Sequence, residues 1–146
     1  MSSTMSRTDH YDVTAVAVAY TWALDTNEWA ALDNVFHPDA TADLGGGLPT
    51  LVGREAIVAR IRQALEPLDD SQHLVGSHEV QVDGDTATHR CYLQAQHVRH
   101  AATGSPNYLI AGRYEDELVR TPSGWRITYR RLTVMWSDGN LEVVRH

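Results

Sequence analysis

Along the first half of the chain the apolar residues recur at helical spacing. Val13, Val16, Ala17, Tyr20 and Leu24 follow Asp9 in steps of three and four, which places them on one face of a helix. A second, short helix is predicted over residues 28–36, with Trp29, Leu32, Val35 and Phe36 inward. It ends at His37-Pro38 because the residue before a proline is pushed out of the helical region. A strand at 40–44 then runs into Gly45-Gly46-Gly47, which reads as a turn. After Gly53 a third helix carries Ile57, Ile61, Leu65 and Leu68 on one side and Arg60 and Arg62 outside.

From His73 the period becomes two, the signature of half-buried strands. Strands are predicted near 73–82, 86–98, 107–120 and 125–136. They are joined by Asp83-Gly84, by a loop at 99–106 and by Pro122-Ser123-Gly124. Helices first, one early strand, then an antiparallel meander define an α+β fold. One sheet hides itself behind three helices only by curling around them. The expected architecture is therefore a curved antiparallel sheet wrapped around N-terminal helices, with an interior able to hold a ligand. Residues 9–137 form the domain, and 1–8 and 138–146 read as tails.

Composition narrows the partners. The 146 residues carry a net charge of −7 with 12 lysines and arginines spread along the chain. Nucleic acid needs a concentrated basic surface and is not an expected partner. The single cysteine, Cys91, cannot form an internal disulfide. No apolar run approaches the ~20 residues of a membrane span, and no leader pattern stands at the N-terminus. A cytoplasmic protein with a small-molecule ligand is expected.

Asp25 has two readings. Asp25-Thr-Asn-Glu28 has capping-box spacing, with Asp25 as N-cap of the second helix. Alternatively its carboxylate orients a histidine and stabilises the protonated ring. His73 opens the first long strand. His97 closes the next, at the end of an alternating face of Ala87, His89, Cys91, Leu93 and Ala95. A two-residue turn at Asp83-Gly84 pairs Val82 with Asp85 and His78 with His89, leaving His97 opposite His73. A three-residue turn with Gly84 left-handed pairs His73 with Ala95 and puts the two histidines on one face. A bulge at Gly76 has the same effect, and the sequence leaves the choice open.

In the first register His78, His89 and His97 share a face. With no H-x-H or H-x₃-H pair on one predicted element, and no carboxylate or cysteine counted at ligand spacing, no metal and no cofactor are expected. Arg130 and Arg131 are adjacent on a strand and point to opposite faces. An inward arginine needs an anion or a developing oxyanion as its partner.

The chain resembles the SnoaL-like branch of the NTF2-like superfamily, which includes scytalone dehydratase, bile acid 7α-dehydratase and hexachlorocyclohexane dehydrochlorinase. The likeness runs from Tyr11 to Trp136. It rests on the segment from Tyr20 through Asp25 to Trp29, then on Gln72-His73, Val82 to Ala87, Tyr92 to His97, Gly112-Arg-Tyr114 and Gly124-Trp-Arg-Ile127. The resemblance implies that Asp25 and His73 are the acid–base pair. It also implies that Tyr20 and His97 assist in the cavity and that Arg130 contacts substrate. Two tyrosines that hold the substrate carbonyl in scytalone dehydratase correspond to Leu24 and a position near Leu44, so scytalone itself is not the expected substrate. The implied activity is a cofactor-independent lyase or isomerase, dehydratase-like, acting on a small ring-containing molecule. A polyketide-type cyclase or isomerase, or a non-catalytic binding module, are the alternatives. Assembly as a trimer or dimer is implied as well, since a curled sheet leaves an apolar convex face.

Overall fold

The first apolar stripe becomes α1 (Arg7–Asp25), which opens the computed structural model; residues 7–146 are described. The expected N-terminal tail, 1–8, thus falls mostly outside the described residues, and α1 begins two residues before Asp9. Val13, Val16, Ala17, Tyr20, Ala23 and Leu24 bury its inner face. The second helix is a 3₁₀ turn, Trp29–Asn34, rather than an α-helix. Asn27 at φ +56° breaks the chain direction after α1. Val35 and Phe36, fully buried, already belong to the approach and start of β1 (Phe36–Asp43). The expected helix end at His37-Pro38 is therefore a strand start. Pro38 lies between Phe36 and Thr41, where the ladder to the neighbouring strand is interrupted, so its missing N–H costs no hydrogen bond.

The glycine turn leads to β2 (Leu51–Val52) and α2 (Arg54–Leu65), whose Ile57, Ile61 and Leu65 are buried. The meander follows as β3 (Asp70–Asp83), β4 (Thr86–Val98), β5 (Asn107–Thr121) and β6 (Gly124–Gly139). The six strands form one open sheet in the order β2-β1-β6-β5-β4-β3. The sheet is mixed, a correction to the all-antiparallel expectation: β1 runs parallel to β6. The chain crosses to the far edge through α2, and the four-strand meander returns β6 beside β1 in the same direction. At Gly112 the strands come so close that a Cβ would lie 2.2 Å from the Thr133 carbonyl oxygen, which only glycine permits.

Two bulges decide which side chains face inward. The β3–β4 turn is Gly84-Asp85, with Asp83 paired to Thr86 and Gly84 at φ +61°. That displaces the register further than either turn considered from sequence. A bulge between Gly76 and Glu79, with Ser77 at φ +55°, returns one residue, so His73 pairs with Ala95. Before the bulge the odd positions His73 and Val75 turn inward; after it the even positions His78, Val80 and Val82 do. In β6 an irregularity opposite Glu117 and Leu118 has the same consequence. Trp125 and Ile127 face the core, and so does Arg130, while Arg131 is exposed.

The stretch 138–146, expected to be a tail, belongs to the fold. β6 runs to Gly139, and a 3₁₀ turn at Leu141–Val144 buries Val143 completely. Arg99 holds this segment by donating to the carbonyls of Val143, Glu142 and Arg145. No helix among the described residues is long and apolar enough to cross a membrane.

Candidate active site

A cavity of about 500 Å³ lies between the helices and the concave face of the sheet. Tyr20 from α1, Ile61 from α2, and His73, His97, Tyr108 and Tyr114 from the sheet line it. The Gly45-Gly46 turn and the C-terminal 3₁₀ segment also contribute walls, which the sequence reading did not foresee.

Asp25 is the last residue of α1 and caps nothing. The 3₁₀ turn starts after Glu28, which makes no side-chain cap. A carboxylate at a helix C-terminus faces the negative end of the helix dipole, so it needs donors from elsewhere. It finds them on β3. Oδ2 accepts the backbone N–H of His73 at 2.7 Å, and Oδ1 accepts the Ser71 hydroxyl at 2.9 Å and His73 Nδ1 at 2.7 Å. Partial burial alone would raise the carboxyl pKa, but these bonds from His73 and Ser71 hold it below the ordinary value. Because the carboxylate can only accept, Nδ1 of His73 carries the proton and Nε2 keeps its lone pair.

The pair straddles two spaces. His73 borders the cavity and also, together with Asp25, Thr21, Trp22 and Ser71, a groove on the outer side between α1 and β3. The two groups share that groove, and towards the larger interior cavity the carboxylate stands behind the imidazole. The His97 ring centre is 6.2 Å from that of His73. Its Nδ1 donates to the Tyr108 carbonyl at 3.1 Å, which leaves Nε2 as an acceptor. Burial, reinforced by the nearby His73, pushes the His97 pKa down, so the ring is neutral near pH 7.

Tyr20 is buried edge-on to Phe36 and Tyr114, with centroids 5.9 and 5.7 Å away. Burial raises its pKa against the opposing charge of Arg130, so it stays a neutral phenol. Arg130, expected at the substrate, is fully buried and stacked between two tyrosines, 4.4 Å from the ring centre of Tyr20 and 3.9 Å from that of Tyr114. Its anion is Asp116, directly opposite on β5, which accepts Nε at 2.7 Å and Nη2 at 2.8 Å. Among the described residues Nη1 has no hydrogen-bond partner. Asp116 also accepts His89 Nδ1 at 2.8 Å, and His89 Nε2 lies 2.9 Å from His78 Nδ1. Sequence reasoning missed Asp116. Its inward phase with Tyr114 and Leu118 was the available signal.

A curved open sheet around helices is the fold shared with an NTF2-like superfamily protein of Salmonella enterica, at a TM-score of 0.78. The SnoaL-like domain family matches residues 5–131, and the chain belongs to it. The uncharacterized protein Rv2910c of Mycobacterium tuberculosis is 35% identical over 135 residues, covering 89% of this chain and 88% of its own. A candidate aromatic ring hydroxylase of Novosphingobium aromaticivorans is 27% identical with a TM-score of 0.85, covering 97% of this chain and 99% of its own. A candidate scytalone dehydratase of the same organism is 19% identical with a TM-score of 0.81, covering 91% and 88%. The two structures carry different chemical descriptions, so the likeness speaks for the fold and the residues must speak for the chemistry.

Proposed function

We propose that the chain is a cofactor-independent lyase or isomerase of the dehydratase type, acting on a small, mostly apolar, ring-containing molecule. The observation that carries this reading is the 2.7 Å contact of Asp25 with Nδ1 of an imidazole that borders the cavity. His73 Nε2 takes a proton from carbon next to a carbonyl, and Asp25 stabilises the imidazolium that forms. Tyr20, a neutral phenol in the wall, donates to the carbonyl as it gains charge. His97 offers its free Nε2 to a substrate hydroxyl. Arg130 acts through Tyr20 and Tyr114, whose rings it holds, rather than on the substrate directly.

In elimination, the electron pair of the broken C–H bond becomes the new double bond. The hydroxyl leaves as water with the proton that His73 carried. In isomerisation or cyclisation the same proton returns to carbon or oxygen and nothing is lost. The proposal includes a cytoplasmic location and self-association through the convex face, where Leu74 and Tyr92 are exposed.

The experiment is incubation with cyclic ketones and cyclic β-hydroxy ketones in D₂O, followed by mass spectrometry. Enzyme-dependent deuterium uptake next to the carbonyl is expected, with loss of water from the hydroxylated members if the reaction is a dehydration. Equal deuterium uptake with wild type and His73→Ala would overturn the assignment of the base, and uptake with neither would leave the binding-module reading in its place.

A further inference from the structure

We propose that His78, His89 and Cys91 form a binding site for a zinc-class metal ion, separate from the Asp25–His73 pair. One donor atom from each, Nδ1 or Nε2 of the imidazoles and Sγ of the thiol, lies within 4.8 Å of the other two. Tetrahedral zinc, with bonds of ~2.0–2.1 Å to nitrogen and ~2.3 Å to sulfur, places its ligand atoms roughly 3.3–3.7 Å apart. The 2.9 Å between His78 Nδ1 and His89 Nε2 has only to open slightly to admit the ion.

Three features of the fold converge on this arrangement. His89 and Cys91 are alternate residues of β4 and point to the same face, a His-x-Cys pair that the sequence reading passed over. The bulge after Gly76 turns His78 inward to meet them. The far nitrogen of His89, Nδ1, is held by Asp116 at 2.8 Å, the carboxylate-behind-histidine pattern that fixes a metal ligand's tautomer and orientation. Two imidazoles and a thiol suit zinc and not magnesium or calcium, which take oxygen donors. His89 and Cys91 are buried, while His78 is half-buried and gives a path from solvent.

Cys91 is a free, buried cysteine, so its sulfur is not taken up by a disulfide. A bound cation would ionise it, Zn²⁺ replacing the proton on sulfur and releasing it to solvent. Because His89 shares Asp116 with Arg130, the ion would also fix the salt bridge on which Tyr20 and Tyr114 rest.

The test is titration of the full chain with Zn²⁺ by calorimetry and with Co²⁺ by absorption. One ion per chain is expected, with proton release and a thiolate-to-cobalt charge-transfer band in the near ultraviolet. Cys91→Ser should abolish that band. His78→Ala should weaken zinc binding at least ~100-fold, and its half-buried position keeps the test decisive should Cys91→Ser lose the fold. His100→Ala, an exposed histidine outside the cluster, should change nothing. Absence of saturable binding, a band that survives in Cys91→Ser, or unchanged affinity in His78→Ala would overturn the site. None of these readouts depends on turnover, so the outcome is independent of the proposed activity.

Discussion

Asp25 and Asp116 hold the Nδ1 atoms of His73 and His89 at 2.7 and 2.8 Å, nearly the same distance, in very different surroundings. Asp116 is buried and receives two further bonds from Arg130. Its negative charge is answered within the protein, and His89 faces a second imidazole instead of open space. Among the described residues Asp25 has no arginine partner. Its side chain is 19% exposed, and its donors are a hydroxyl, a backbone N–H and the His73 ring. The His73 pair borders open space, whereas the His89 pair is locked into a buried ion-pair network. Two pairs with the same bond length thus have different uses.

That contrast is open to attack at several points. The largest expected effect is on turnover in the first pair. His73→Ala should lower activity in the deuterium-exchange assay by ~10²–10⁴-fold with little change in thermal stability. Asp25→Asn should cost nearly as much, because it keeps the shape and removes the charge. Equal activity in Asp25→Asn would show that the charge is irrelevant and that only the clamp between α1 and β3 matters.

In the second pair the effect should fall on folding. Asp116→Ala strands Arg130 in the interior, and a broken buried ion pair typically costs about 3–5 kcal/mol. Urea denaturation should show a loss of that order, set against about 1–2 kcal/mol for the hydrogen bonds removed in Asp25→Asn. Comparable losses for the two would erase the distinction.

A smaller effect is expected from acid. His78 and His97 both have pKa values depressed first by burial, then by neighbouring imidazoles. Their folded-state preference for the neutral form is fully present above the unfolded value of about 6.5. It is lost as pH falls below that value and through their depressed folded values. Melting temperature should therefore decline between pH 7 and 5, before the carboxylates titrate, and His97→Phe should flatten the slope. An unchanged slope would mean that His97 is not held neutral by its surroundings. The smallest effect concerns the outside of the sheet. Leu74→Arg with Tyr92→Arg should shift a sedimenting dimer or trimer to monomer without touching the cavity. A wild-type monomer at micromolar concentration would remove the self-association proposal.

The pattern of apolar positions was enough to place α1, α2 and the four long strands, because each repeats its period over many residues. Short elements escaped. The 3₁₀ turn at Trp29–Asn34 was read as α-helix because six residues cannot distinguish the two periods. β2 has two residues and leaves no pattern at all. The parallel placement of β1 depends on the path through α2, which no local signal encodes. At the site, the separate appearance of Asp25, His73, Tyr20 and His97 was legible, as was the need of an inward Arg130 for an anion. That the anion is Asp116 was not legible, since the facing residue depends on register, and register depends on where the bulges fall. The shared face of His89 and Cys91 was legible from their alternation, but the approach of His78 to them was not, because it depends on the bulge after Gly76.

The bulge between Gly76 and Glu79 also makes β3 intolerant of changes in length. Its two halves use opposite parities, odd for His73 and Val75, even for His78 and Val80. Removing one residue there would fuse them into a single parity. If Val80 kept its seat in the core, His73 would rotate out to solvent; if His73 stayed with Asp25, His78 and Val80 would leave the interior instead. Most loops absorb a lost residue by shortening. Here a loss at Ser77 would carry the chain's frame through one of two histidine sites, so homologous chains should vary in length at the turns and keep this span constant.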